Sequence, residues 1–99
     1  MELRVHPAAL REVIEAFDWC EARYGKPLAA RFQKSVERAG QLLLLEPGLG
    51  TPAANGVRTL PLRGLPYTLV YQRDESFIFV IALMHQRREP RYWIQRIPD

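Results

Sequence analysis

Residues 77–84 read Phe-Ile-Phe-Val-Ile-Ala-Leu-Met, eight consecutive side chains without a polar group, and they follow the polar turn Asp74-Glu75-Ser76. An apolar run of this length next to a turn predicts a strand, because buried helices are usually longer. Since no side chain of this run is polar, we expect both faces of the strand to be covered. The rest of the fold is predicted outward from this strand.

Two further strands are predicted upstream of it. Residues 67–73 alternate so that one face carries large apolar side chains. That face holds Tyr67, Leu69 and Tyr71. Residues 57–62 form another predicted strand, and Pro61, which lacks a ladder donor, places that part of it at an edge or a bulge.

The amino-terminal half predicts a short strand followed by a helical hairpin. Residues 1–5 alternate, and Pro7 suits the first turn of a helix that ends at Tyr24-Gly25. A second helix is predicted from Pro27 to Leu45. The expected apolar stripe of the first helix is Leu10, Val13, Ile14, Phe17 and Tyr24. The expected stripe of the second is Leu28, Phe32, Val36, Ala39, Leu42 and Leu43.

The remaining segments are predicted to be irregular. Residues 47–56 contain three glycines and two prolines, a composition typical of a loop without a regular ladder. The tail, residues 85–99, is polar with Tyr92, Trp93 and Ile94 embedded, which predicts a short helix or an extension held by its aromatic side chains.

These elements give the order β-α-α-β-β-β in one domain over residues 1–99, since a chain of this length fills a single core. The predicted class is α+β, with the helical hairpin packed on one face of a small, mostly antiparallel sheet and a short C-terminal tail. We expect the opposite face of the sheet to be more open.

Charge is distributed unevenly along the chain. The formal net charge is +3, and residues 57–99 carry all of it, with seven arginines and no lysine against four acidic residues. Arginine suits phosphate and carboxylate groups, so this half predicts a nucleic acid or an acidic protein as partner. The alternative is an ordinary solvated surface.

Several chemistries are disfavoured. The single cysteine, Cys20, cannot form an internal disulfide, and the two histidines lie far apart, so neither a metal nor another cofactor is expected, and a reducing cytoplasm fits best. No leader pattern occurs, and no apolar run approaches the ~20 residues that span a membrane. No nucleophile lies near a base, and no glycine-rich phosphate loop is present. The acidic residues of the first helix are interpreted as its solvated stripe: Glu12, Glu15, Asp18 and Glu21.

The candidate site lies in the second half. His85 ends the apolar strand, where an imidazole can hydrogen-bond or transfer a proton, or can simply close the sheet by bonding to the backbone. A cationic patch with aromatic rings would suit nucleic acid. The residues proposed for this patch are Arg58, Arg63, Arg87, Arg88, Tyr92 and Trp93. Trp93 has the alternative role of a core anchor.

Several sequence blocks together resemble a known family. They are Pro7-Ala8-Ala9, Phe17-Asp18-Trp19, Tyr24-Gly25, Phe32, Glu46-Pro47-Gly48, Gly56-Val57-Arg58, Leu65-Pro66-Tyr67-Thr68-Leu69-Val70-Tyr71 and His85-Gln86-Arg87-Arg88-Glu89-Pro90-Arg91-Tyr92-Trp93. The chain resembles the ParE branch of the RelE/ParE toxin superfamily, also called plasmid stabilisation proteins. The resemblance covers almost the whole chain.

The resemblance implies a toxin that is neutralised when a short DNA-binding antitoxin wraps its tail around it. The ParE branch is associated with inhibition of DNA gyrase, whereas the RelE branch cuts mRNA in the ribosomal A site with basic side chains and a tyrosine. RelE-type enzymes carry lysines and an arginine where this chain has Thr59, Pro61 and Thr68. Without fixed positive charge at the reacting phosphate, transition-state stabilisation loses its main source.

We therefore expect a ParE-like toxin that binds gyrase and turns over no substrate. A second possibility is a ribosome-dependent endoribonuclease that acts on mRNA with Arg87, Arg88 and Tyr92. A third possibility is a family member without toxicity. The expected target-binding residues are Arg58, Arg63, His85, Arg87, Arg88 and Tyr92. The cognate antitoxin is expected in open apolar grooves of the sheet or the hairpin, and the oligomeric state cannot be read from the sequence.

Overall fold

Two antiparallel helices, α1 (Pro7–Tyr24) and α2 (Lys26–Leu45), form the hairpin that the sequence predicted, in a computed structural model that describes residues 1–98. Helix α1 starts at a proline, and the Nδ1 atom of His6 caps it by accepting a hydrogen bond from the Ala8 backbone N–H at 3.0 Å. Gly25 joins the helices with φ at 94°, a conformation that a residue with a Cβ rarely adopts.

The sheet has five strands. They are β1 (Glu2–Val5), β2 (Thr51–Pro52), β3 (Arg58–Pro61), β4 (Tyr67–Arg73) and β5 (Phe77–His85). Their order is β1-β5-β4-β3-β2, with β1 parallel to β5 and the other neighbours antiparallel. The predicted α+β class, with two helices on a mostly antiparallel sheet, is confirmed.

A bulge in β5 controls which side chains face the helices. Val70 pairs with Ala82 and Tyr71 pairs with Val80, so Ile81 is an extra residue. As a result Ile81 and Ala82 both belong to the cluster on the outer face of the sheet, and Leu83 returns to the helix side. Both faces of this strand are covered, as its composition predicted.

The core between helices and sheet differs from the predicted stripes. Helix α1 buries Ala9, Ala16 and Cys20, whereas Leu10 and Ile14 are each 51% exposed. The small side chains belong to the core cluster with the sheet, and Val13 and Phe17 of the predicted stripe pack against that cluster while partly buried. The prediction that Leu10, Ile14 and Tyr24 share this buried stripe was wrong, since Tyr24 is also 56% exposed. In β4, the predicted face of Tyr67, Leu69 and Tyr71 does pack in this core.

The outer face of the sheet is covered rather than open, contrary to the prediction. The tail folds back over it, and Trp93, which is 3% exposed, packs with Val57, Val70 and Ile81. A short 3-10 turn, Ile94–Arg96, follows Trp93. The embedded aromatic and aliphatic residues of the tail supply a second apolar layer that a purely polar tail could not.

The loop after α2 contains a short strand, β2, that the sequence did not predict. The buried hydroxyl of Tyr71 donates a hydrogen bond to the Pro47 carbonyl and accepts one from the Gly50 N–H, both at 2.8 Å. A Cβ at Gly50 would lie 2.8 Å from the carbonyl oxygen of Thr59 and from the Tyr71 ring. The loop is thus held against β3 closely enough for Thr51 to pair with Thr59.

Within residues 1–98, no helix has the length and apolar character needed to cross a membrane.

Candidate functional site

A shallow groove lies where β5 ends beside α1, and we call it the aromatic groove. It encloses about 290 Å³. It is lined by Glu12, Glu15, Ala16, Trp19, Tyr67, Leu83, His85, Arg88 and Tyr92. Four of these nine side chains carry aromatic rings, and Trp19 is 56% exposed. The groove therefore offers apolar ring faces to solvent next to one arginine and two carboxylates.

His85 lies at the base of this groove with its ring fixed. Its Nδ1 accepts a hydrogen bond from the Arg87 backbone N–H at 3.1 Å, and its ring meets the edge of Tyr67 with centroids 5.1 Å apart. Burial raises the pKa of Tyr67 above its ordinary value of 10. Because Nδ1 is engaged by the backbone, Nε2 is the ring nitrogen that remains for contact with a ligand.

Tyr92 is held between polar groups of the tail and α1. The Arg88 guanidinium lies 4.1 Å from the centre of its ring, and that of Arg96 lies 5.0 Å from it. Its hydroxyl is directed at the Leu83 carbonyl at 3.4 Å. Burial, reinforced by the Glu12 carboxylate, raises the pKa of Tyr92 well above 10. This tyrosine is therefore a neutral, positioned ring and a poor source of phenolate.

Glu12 and Arg96 form an ion pair that fixes the position of the tail on α1. Arg96 donates to both carboxylate oxygens of Glu12, at 2.9 and 3.1 Å, and to the carbonyl of the bulge residue Ile81 at 3.1 Å. Oε1 of Glu12 also accepts a hydrogen bond from the Leu83 backbone N–H at 3.1 Å. Hydrogen bonding to Glu12 raises the pKa of Arg96 above its ordinary value. The interpretation of Glu12 as part of a solvated stripe was wrong, since its side chain is only 18% exposed.

Comparison with known proteins identifies the family. A family model described as the ParE toxin of type II toxin-antitoxin system, parDE, matches residues 3–90. The chain belongs to the ParE toxin family. A solved structure titled "Chromosomal ParDE TA system from P. aeruginosa" is 20% identical, with 86% of this chain and 95% of that chain covered and a TM-score of 0.76. At that identity the likeness shows a shared fold. The comparison with curated proteins gave no significant match.

The three strand positions at which the resemblance led us to expect charge in a RelE-type enzyme are uncharged in this ParE family member. Pro61 of β3 pairs with Thr68 of β4, and Thr59 lies two residues before Pro61. None of these three side chains can neutralise a phosphate. The arginine nearest to them in sequence, Arg58, donates to the Gly50 carbonyl at 2.7 Å and to the Gly48 carbonyl at 3.3 Å.

The six predicted target-binding residues do not form one patch around the aromatic groove. His85, Arg88 and Tyr92 line it, and Arg87 is exposed next to them. Arg58 is engaged with the loop that carries β2. Arg63 lies in the turn before β4, at the end of the sheet where Tyr67 pairs with His85, but it lines a different groove. Trp93, the remaining patch candidate, is a core residue.

Sequence reasoning missed six of the nine residues that line the aromatic groove, among them Glu12, Trp19 and Tyr67. Trp19 and Tyr67 belong to blocks that carry the family resemblance, so that signal was available. For Glu12 there was none, because its partner Arg96 lies 84 positions away. Within residues 1–98, no group of three or more His, Cys, Asp or Glu side chains is placed to hold a metal ion.

Proposed function

We propose that this protein is the toxin of a type II toxin-antitoxin pair, that it acts by binding DNA gyrase, and that a cognate antitoxin neutralises it. The proposal that the protein acts by binding rests on the aromatic groove. It presents ring faces and one arginine for contact with a macromolecule, without the set of fixed cations that phosphoryl transfer requires.

The charges of this groove argue against RNA cleavage. A scissile phosphate placed there would lie near the carboxylate of Glu15, which repels it, and near Glu12, whose charge is balanced by Arg96; only Arg88 among the lining residues carries a positive charge. The raised pKa of Tyr92 disfavours the phenolate that a general base would need. These features support binding over turnover as the activity.

The mixed charge of the groove suits a protein better than a nucleic acid. A protein surface can offer cations to Glu15 and a carboxylate to Arg88, while apolar side chains cover Trp19. Tryptophan and arginine are also the residue types that most often dominate binding energy at protein interfaces. Gyrase, a large protein enzyme, fits this chemistry.

Exposed apolar side chains support an antitoxin partner. A second, mostly apolar groove of about 330 Å³ runs between the helices, lined by residues that include Val13, Ile14, Phe17 and Val36. Contiguous exposed apolar surface of this kind is typical of protein-binding sites. A partner segment that covers it would explain why the hairpin leaves large side chains in solvent.

The test compares two purified reactions. We expect the protein to inhibit supercoiling by gyrase and to leave a translated message intact. Trp19→Ala and Arg88→Ala should each weaken inhibition at least ~10-fold, as expected for central interface residues. Arg73→Ala, an exposed arginine outside the groove, should inhibit like the wild type.

Cleavage of the message with unaffected gyrase would refute the proposal in favour of a RelE-type endoribonuclease. Normal growth on induced expression would refute toxicity itself. Neutralisation is tested by co-expressing the product of the adjacent reading frame, which should restore growth.

A further inference from the structure

Strand β1 is the last strand on one side of the sheet, and within residues 1–98 no strand pairs with its outer edge. The backbone N–H groups of Glu2 and His6 donate to carbonyls in or next to β5, at 3.2 and 2.9 Å. Because every second residue of a parallel strand faces its partner, Leu3 and Val5 direct their N–H and C=O groups toward the open edge. All four residues of β1 are exposed, so this edge is accessible to another strand.

The helix side of this edge strand is apolar. Leu3 lies on that side, since its Cδ2 atom is 3.1 Å from the position of a Cβ at Gly40 of α2. Met1 and Val5 alternate in phase with Leu3, so they belong to the same side. All three are substantially exposed, as is Leu44, one helical turn after Gly40. An added strand would bury apolar surface and satisfy backbone groups together.

The other side of β1 carries one acidic and one basic side chain. Glu2 and Arg4 form an ion pair at 2.6 Å, and the Arg4 guanidinium lies 4.2 Å from the centre of the Phe77 ring. Both side chains of the pair are more than half exposed, so this ion pair contributes little and can be exchanged for another. Opposite charges two residues apart make the strand complementary to a reversed copy of itself.

Charge selects one antiparallel register for two copies of β1. A ladder requires the outward-facing residues of both strands to lie opposite one another, so the register changes only in steps of two residues. With Leu3 opposite Leu3 of the second copy, Glu2 lies opposite Arg4. A step in one direction sets Arg4 opposite Arg4, and a step in the other sets Glu2 opposite Glu2. Like charges directly opposite each other destabilise a strand pair.

The selected register also gives a symmetric ladder. The two Leu3 residues exchange both of their N–H···O=C hydrogen bonds, and the Val5 N–H reaches the Met1 carbonyl of the second copy. Glu2 and Arg4 then form pairs without backbone hydrogen bonds, in which opposite Cα atoms are only ~4.5 Å apart and side chains approach most closely. Each copy uses the same surface, so the contact closes after two copies.

We propose that β1 pairs antiparallel with β1 of a second copy of this chain, with Leu3 opposite Leu3 and Glu2 opposite Arg4, so that two five-stranded sheets join into one. A strand of four residues gives a small interface, and the dimer is therefore weak and dependent on concentration. None of the described residues that line the aromatic groove belongs to β1, so this inference is independent of the proposed function.

The experiment exchanges charges on the full chain. Arg4→Glu and Glu2→Arg each place like charges opposite one another, whereas Glu2→Arg/Arg4→Glu restores both pairs and keeps the net charge of the wild type. The control is Arg23→Glu, which changes the net charge as Arg4→Glu does, at an exposed position near the far end of α1. Sedimentation velocity from ~5 to ~500 µM measures dimerisation, and circular dichroism establishes that every variant is folded.

We expect the wild type, the double variant and the control to dimerise with dissociation constants within ~3-fold of one another. Each single charge variant should dimerise at least ~10-fold more weakly, because two favourable cross-strand pairs in each dimer become repulsive. An equimolar mixture of Arg4→Glu and Glu2→Arg should dimerise at least as tightly as the wild type, since all its cross-strand pairs are opposite in charge. Amide exchange at Leu3 and Val5 should slow in the dimer.

A wild type that stays monomeric over this range would overturn the inference. A dimer that neither single charge variant weakens forms through another surface, and a mixture that stays monomeric contradicts the register; both results also overturn it. If the wild type is monomeric and Arg4→Glu binds the product of the adjacent reading frame more weakly, the edge serves that protein instead. Absence of gyrase inhibition by a protein that dimerises as expected would refute the proposed function and leave this inference intact.

Discussion

Replacing Arg96 by methionine should destabilise the protein far more than the loss of an ordinary surface charge. The substitution keeps most of the side chain's length against Tyr92 but removes the two hydrogen bonds to Glu12 and the one to Ile81. The paired side chains are only 17% and 18% exposed. Breaking a fully buried pair costs roughly 3–5 kcal/mol, and an exposed pair contributes about 0–1 kcal/mol. This mostly buried pair should therefore contribute about 2–3 kcal/mol.

The matched control is Arg4→Met, which breaks the ion pair with Glu2, whose side chains are 56% and 61% exposed. For a domain of this size, about 2–3 kcal/mol lowers the melting temperature by roughly 10–20 °C. Urea unfolding followed by tryptophan fluorescence reports on the tail, because Trp93 of the tail is buried against the sheet whereas Trp19 is already 56% exposed in the folded state. If Arg96→Met and Arg4→Met differ by less than about 0.5 kcal/mol in the free energy of unfolding, the ion pair does not fix the tail.

Three more predictions concern other parts of the structure. Tyr71→Phe leaves two backbone groups of the loop without their partner and should lower the free energy of unfolding by about 2–3 kcal/mol, measured in urea; an unchanged midpoint would contradict the proposed hold on the loop. Gly50→Ala should cost at least ~2 kcal/mol in the same assay, and Gly48→Ala, where a Cβ meets open space, should be nearly neutral. The pKa of His6 lies below 6.5 because of burial, so the unfolded state takes up the proton first and stability falls as pH drops from about 6.5 through the folded pKa. His6→Asn, which retains a cap acceptor, should flatten this pH dependence when unfolding is measured on both sides of pH 6.5.

The helices and the three strands between residues 57 and 85 could be predicted because their signals are local. Alternation in 67–73, the apolar run 77–84 and the Gly25 helix end each arise from neighbouring residues. Strand β2 could not be predicted, since the loop that contains it is hydrogen-bonded to Tyr71, some twenty residues away. Periodicity also could not show which side of α1 faces the sheet.

The candidate site was predictable in part for the same reason. His85, Arg88 and Tyr92 are close in sequence, and the structure brings them to one groove. Arg58 looked equivalent to them by charge alone, but its guanidinium is directed at two loop carbonyls that no sequence pattern reveals. The sequence shows that a residue is charged, but not which groups its charge contacts in the folded protein.

Because β1 pairs with β5, which follows much later in the chain, β1 cannot join the sheet while it is being synthesised. Strand β1 has no strand to pair with until residues 77–80 have been synthesised, and the Glu12 carboxylate lacks its ion-pair partner until Arg96 follows, 84 residues later. A nascent chain therefore cannot complete this fold before Arg96 has been added. A product truncated before Arg96 would lack the ion pair that fixes its tail and would close only loosely.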